Sequence, residues 1–160
     1  MTVANLIGFV YNAQMPDAGA LVSTIVEALA LRDRSWTSSA AGLGEMLSEL
    51  ESTTLIVVVG GDGTILRTVR VVAPFDAAII GINMGRVGFM TELTAEHAAE
   101  KIPNYLSGSP RVEERMMLQA SVTSQPGEEA HATLHALNDV VVSRGAVPRL
   151  LDIDIAIDGL

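Results

Sequence analysis

The sequence of 160 residues contains no cysteine. That excludes a disulfide framework and any thiolate metal centre. Basic residues are scarce: ten lysines and arginines stand against nineteen aspartates and glutamates, a formal net charge of −9. A general nucleic-acid binder presents a basic surface, so no nucleic-acid partner is expected. An acidic chain that holds an anionic nucleotide must do so locally, with backbone N–H groups, a few arginines or a metal ion. Long apolar runs are also missing. Leu55 to Val59 is among the longest, far short of the roughly 20 residues of a membrane helix. Met1 to Val10 lacks the basic leader and small-residue cleavage site of a signal peptide. No membrane partner and a cytoplasmic location are expected. Internal repeats and low-complexity segments are absent.

What is present suits a packed core: 49% of the residues are apolar and only 18% are charged. Leu6 to Val10 reads as a first buried strand. Pro16 and Asp17 open a helix with Leu21, Ile25, Ala28 and Leu29 at helical spacing, ended by the polar stretch Arg32 to Ser35. Trp36 to Ser38 suggests a short strand. Gly42 to Glu51 reads as a second helix, with Leu43, Met46, Leu47 and Leu50 on one face. Leu55 to Val59 is apolar without alternation, which signals a strand buried on both faces. Ile65 to Val72 is helical in spacing and ends before Pro74. Ala77 to Ile82 is another apolar strand, and a helix is expected from Thr94 to about Leu106. Alternation of strand and helix predicts an α/β fold, a Rossmann-like parallel sheet with helices on both faces, over residues 1–108.

From residue 109 to 160 the texture changes to a period of two. Strands are expected at Arg115 to Ser124, with Met116, Leu118, Ala120 and Val122 on one face, at Leu134 to Ser143, and at Leu151 to Ile157. This reads as the beginning of an antiparallel all-β domain. Asp158-Gly159 is a turn signal that asks for a further strand, so the natural chain is expected to continue past Leu160.

The strongest local signal is Gly60-Gly61-Asp62-Gly63-Thr64, placed where a buried strand hands over to a helix. Open α/β sheets bind ligands at the carboxyl ends of their strands. Glycines let the backbone approach a phosphate, and the helix start supplies free N–H donors. An aspartate in that cradle repels phosphate, which suits it instead to take a proton from a hydroxyl or to hold Mg²⁺. The plainer alternative is a glycine turn with an aspartate at the helix start. No Gly-Lys-Ser/Thr follows, so this is not a Walker A loop. His131 and His135 are four apart, a metal spacing only on a helix, and their segment reads as strand or loop; no metal site is expected. Met84, Met90, Met116 and Met117 read as core filler.

The Gly60–Thr64 string resembles that of a phosphoryl-transfer superfamily containing NAD kinases, diacylglycerol and sphingosine kinases, and phosphofructokinases. Two further segments, Gly81 to Glu92 (GINMGRVGFMTE) and Ala136 to Gly145 around Asn138-Asp139, are similar to those of the NAD kinase family, N-terminal portion. The resemblance covers residues 55 to 160 well and the rest in outline. It implies transfer of a phosphoryl group from ATP or polyphosphate to the 2′-hydroxyl of the adenosine ribose of NAD, giving NADP, with Mg²⁺ as divalent cofactor. It implies that Asp62 is the catalytic base, that Gly60, Gly61, Gly63 and Thr64 face phosphates, that Phe89 lies near the dinucleotide, and that Asn138 and Asp139 hydrogen-bond the NAD nucleoside. Asp139 departs from the family's commoner glutamate. In a regular strand Asn138 and Asp139 point to opposite faces, so both reach one ligand only at a strand end, a bulge or a cleft. Arg67 and Arg86 are candidate phosphate contacts. The resemblance also implies a homo-oligomer, dimer or tetramer. A lipid kinase of the same superfamily is one alternative. A non-catalytic nucleotide-binding fragment is another, because the family's later Gly-rich and Ser/Thr-rich segment is not among these 160 residues.

Overall fold

The computed structural model describes residues 5–85, 88–124, 128–143 and 152–158. Five parallel strands form one sheet: β1 (Leu6–Tyr11), β2 (Ser35–Ser39), β3 (Thr53–Gly60), β4 (Ala78–Asn83) and the two-residue β5 (Leu93–Thr94). Their spatial order is β2-β1-β3-β4-β5. The chain steps outward to β2 and then returns to the far side of β1, so the order reverses between β1 and β3. Ligand sites of doubly wound sheets open at that reversal, at the carboxyl ends.

β3 shows why an unbroken apolar run becomes a central strand. Ile56 and Val58 face one side, Val57 and Val59 the other, and none exceeds 1% exposure. Full burial of each such side chain contributes about 1.5–3 kcal/mol. On one side, Val57 and Val59 join Ile7, Phe9, Ile80 and Ile82 under Ala18, Val22 and Ile25 of helix α1 (Ala18–Ala28) and Ala98 and Ile102 of helix α4 (Ala98–Ser107). On the other, Ile56, Val58 and Val10 pack with Trp36, Leu43 and Leu50, and with Ile65, Val69 and Val72 of helix α3 (Asp62–Val72). The expected α/β layer with helices on both faces is therefore present. Trp36 is held on the second face by an N–H donated from Nε1 to the Thr53 hydroxyl at 2.8 Å.

Several expected elements shift. The second helix breaks into a tight turn at Leu43–Glu45 and the single helical turn α2 (Leu47–Leu50), with Leu47 turned out to solvent. Glycines at 42 and 44 deny it side chains to bury and disfavour helix by about 1 kcal/mol each. The third helix starts at Asp62 rather than Ile65. Thr94 closes β5, and a tight turn at Ala95–His97 precedes α4.

Beyond α4, strands β6 (Leu118–Val122) and β7 (Ala132–Ala136) pair antiparallel as a separate hairpin. Leu118, Ala120 and Val122 stand opposite Ala136, Leu134 and Ala132. The hairpin lies over α3: Met117 and Leu137, just outside its strands, pack against the cluster of Ile65, Val69 and Val72. Met116, expected as core filler, is instead 94% exposed, because Met117 takes the inward place. β7 is shorter than the expected Leu134 to Ser143. Its partner ends at Leu118 opposite Ala136, so Val140 to Val142 have no strand to pair with and are exposed. The expected third strand does not form over the described residues 152–158; Ile153, Ile155 and Ile157 are exposed there. Alternating side chains supply a face, but a strand also needs a neighbour to take its hydrogen bonds.

Candidate functional site

The ends of β3 and β4 lie side by side, with Gly60 opposite Asn83 in the register. After Gly60 the chain turns at once into α3, so the Gly61–Thr64 backbone forms the helix start. Thr64 and Ile65 donate their N–H groups to the Gly61 carbonyl at 2.9 and 3.2 Å. The loop after β4 crosses this helix start. It is pinned at one end by Met84 N–H to the Gly60 carbonyl, 3.1 Å, and at the other by Glu92 N–H to the Gly81 carbonyl, 3.0 Å. Asn83 is 9% exposed, and its Oδ1 accepts the Gly85 N–H at 2.8 Å.

Asp62 stands at the centre. Its Oδ2 accepts the Phe89 N–H at 2.9 Å and its Oδ1 accepts the Met90 N–H at 3.1 Å. A carboxylate has about four lone-pair directions, so each oxygen keeps one for a further donor. Asp62 is partly exposed, which leaves its carboxylate open to a further hydrogen-bond donor. Phe89 carries its ring into solvent at 98% exposure, directly beyond the amide that binds Asp62.

The glycines divide into two kinds. A Cβ on Gly60 would lie 2.9 Å from the Thr64 Cβ; one on Gly81 would lie 2.6 Å from the Ile65 Cδ1; one on Gly88 would lie 2.8 Å from the Asp62 Cγ. Each of these glycines seats a residue from the first turn of α3. Gly61 and Gly63 have nothing within 4 Å of a built Cβ, which leaves their backbone open to a ligand. Of the four phosphate-facing residues expected from the resemblance, Gly61 and Gly63 thus present open backbone, whereas Gly60 and Thr64 are buried against each other. Arg67 and Arg70 are exposed on α3; Arg86 lies outside the described residues.

Asn138 and Asp139 are exposed and follow β7, off its regular pairing. They lie beyond the end of β7, outside the strict alternation that a regular strand imposes. Leu137 ties them to the α3 side of the sheet. His131 bonds through Nε2 to the Ser124 hydroxyl at 2.6 Å. Among the described residues no three His, Asp or Glu side chains are grouped to hold a metal ion. No described helix is long and apolar enough to cross a membrane. An open groove of about 420 Å³ lies between α1 and β2, lined by Val22, Val26, Arg32 and Trp36 among others; no residue of the Asp62 loop lines it.

The sequence singles out Gly81 to Glu92 as a segment but gives no role to Gly81, Gly88 or the amide of Met90 within it. Backbone donors leave no side-chain signature, and the only available signal was the glycine spacing of the loop after β4.

Comparison with known proteins adds independent support. Residues 45–109 match the model of the ATP-NAD kinase N-terminal domain. An NAD kinase of Dehalococcoides mccartyi is 34% identical over 95% of this chain and 54% of its own length. NAD kinases of Heliobacterium modesticaldum and Moorella thermoacetica are 40% and 45% identical over 71% and 64% of this chain, and 39% and 32% of their own lengths. The chain thus spans about half, or less, of the relatives that it matches. A crystal structure of yeast NADH kinase complexed with NADH has the same fold, with a TM-score of 0.64 at 14% identity over 84% of this chain and 47% of that one. Residues 45–109 thus match the N-terminal domain of the NAD kinase family, and similarity to an NAD kinase extends over 95% of the chain.

Proposed function

We propose that the protein transfers the γ-phosphoryl group of ATP to the 2′-hydroxyl of the adenosine ribose of NAD, giving NADP. The observation that carries this reading is the Asp62 carboxylate, fixed at the head of α3 between two backbone amides, with lone pairs still free. The helix start and the open backbone at Gly61 and Gly63 suit the donor's phosphates. Asp62 accepts the proton of the attacking ribose hydroxyl. Most of the acceleration comes from holding donor and acceptor in line and neutralising charge. Phe89 offers a fully exposed ring beside Asp62 for the dinucleotide, and Asn138 and Asp139 hold its nucleoside. Arg67 and Arg86 are phosphate contacts on this reading.

Polyphosphate is a second donor of the same chemistry. Mg²⁺, when bound with the donor, would neutralise phosphate charge there. The division into residues 1–108 and 109–160, a homo-oligomeric state and a cytoplasmic location belong to the same reading. The lipid-kinase alternative finds no support, since the matched relatives are NAD kinases.

The test is NADP formation by the purified chain with NAD, ATP and Mg²⁺, beside Asp62→Asn. Turnover that the variant lowers by about 100-fold or more supports the reading. NAD binding without turnover makes the chain a nucleotide-binding module, and neither binding nor turnover overturns the proposal.

A further inference from the structure

The loop after β4 does more than connect two strands. We propose that Gly88 is a positioning residue for the transfer: it makes the room in which the Phe89 and Met90 amides hold the Asp62 carboxylate, and so sets where the acid points. The inference rests on the kinase reading above.

An aspartate in the first turn of a helix, partly open to solvent, ordinarily samples several rotamers. Here two consecutive amides of one loop bind one oxygen each, at 2.9 and 3.1 Å. Two such contacts fix the plane of the carboxylate, and with it the direction of the remaining lone pairs. That geometry needs the loop backbone very close to Asp62. A Cβ built on Gly88 would collide with Asp62 Oδ1 and would lie 2.8 Å from Cγ and 3.0 Å from Oδ2. Gly88 does not have a left-handed φ, so a side chain is excluded by space and not by backbone conformation.

The backbone on either side, at Met84 and at Glu92, is anchored, whereas the Asp62 carboxylate is the free end of a side chain. Its ends are tied to the Gly60 and Gly81 carbonyls, and Gly81 is itself pressed against Ile65 and Thr91. The displacement therefore falls on the Asp62 carboxylate. By contrast, Gly61, Gly63 and Gly85 have nothing within 4 Å, so an added methyl there leaves Asp62 in place.

The test compares Gly88→Ala in the unsubstituted protein and in Asp62→Asn, using NAD, ATP and Mg²⁺. The expected result is a fall in kcat of about 100-fold with NAD KM changed less than about three-fold. In the Asp62→Asn background the same substitution costs less than about two-fold, because the group it acts through is already gone. Equal losses in both backgrounds, or a loss confined to KM, overturn the proposal. If Gly88→Ala fails to fold, an ester in place of the Phe89 amide removes one donor without adding bulk, and the same kcat loss is expected. A readout independent of turnover is hydrogen exchange at the Phe89 and Met90 amides, which should be slow in the unsubstituted protein and faster in Asp62→Asn and in Gly88→Ala. Amides that exchange equally fast in all three overturn the clasp. An unsubstituted protein that makes no NADP overturns the kinase reading instead, and amide exchange still decides whether Gly88 seats Asp62.

Discussion

The Asp62 carboxylate accepts the backbone N–H of Phe89 at 2.9 Å, tying the head of α3 to a loop 27 residues further along the chain. Asp62→Asn keeps one acceptor oxygen but turns an NH₂ group toward the other amide. Turnover is expected to fall about 10²–10⁴-fold, the usual contribution of a general base. Stability is expected to fall by about 1 kcal/mol, below the usual ~1.5–3 kcal/mol for a hydrogen bond to a charged group, since the site is partly exposed. Measuring kcat at saturating NAD beside the thermal midpoint separates the two effects. Unchanged kcat with a raised NAD KM removes the proton-accepting role.

Gly63 lies in the first turn of α3, exposed, with nothing near a built Cβ. In a helix, glycine is less favourable than alanine by about 0.5–1 kcal/mol. Gly63→Ala is therefore expected to raise stability by roughly that amount. It should also raise the KM for ATP, because the methyl occupies the face that a phosphate would approach. Denaturation and ATP titration on one preparation check both halves. A stabilised variant with unchanged ATP KM places the phosphates elsewhere.

The sheet was legible in the sequence where apolar runs lacked alternation. Ile56 to Val59 and Ile80 to Ile82 are buried on both faces as that pattern requires, with Leu55 and Ala77 to Ile79 half-buried at the starts of their runs. Hydrophobic spacing failed where it competed with glycine, as at Gly42 and Gly44, and where it specified a face but no partner, as at Val140 to Val142 and Ile153 to Ile157. The Gly60–Thr64 string marked the site because its chemistry is carried by residue types. The clasp around Asp62 was not legible: its donors are main-chain amides, and their approach depends on how the β4 loop crosses α3.

Helix α1 ends in a left-handed residue that is not glycine. Ala30 has φ 51°, and its N–H donates to the Glu27 carbonyl while that of Leu31 donates to Val26. This double closure satisfies the last carbonyls of the helix. The left-handed conformation costs an L-residue about 1–2 kcal/mol, partly offset by the greater backbone entropy that glycine loses on folding. Ala30→Gly is expected to stabilise the fold by up to about 1 kcal/mol with no change in turnover, since α1 packs on the sheet face opposite α3. A denaturant midpoint that moves down shows that the conformation is not strained.

Leu137 links the hairpin to the α3 side of the sheet. It packs with Met117 against the cluster of Ile65, Val69 and Val72, and the next residue along the chain is Asn138. Truncation of a half-buried leucine should cost about 1–2 kcal/mol, below the range for a fully buried one. Because Asp62 is seated by the β4 loop and not by the hairpin, the chemical step should survive: kcat at saturation is expected to stay within about two-fold. Binding should suffer, because Leu137→Ala loosens the segment that presents Asn138. A rise in NAD KM of about ten-fold corresponds to about 1.4 kcal/mol of lost contact. Asn138→Ala supplies the control, with a similar KM rise and no loss of stability, since its side chain is exposed. If Leu137→Ala lowers stability yet leaves NAD KM unchanged, the hairpin is a packing element and the nucleoside is held by other residues.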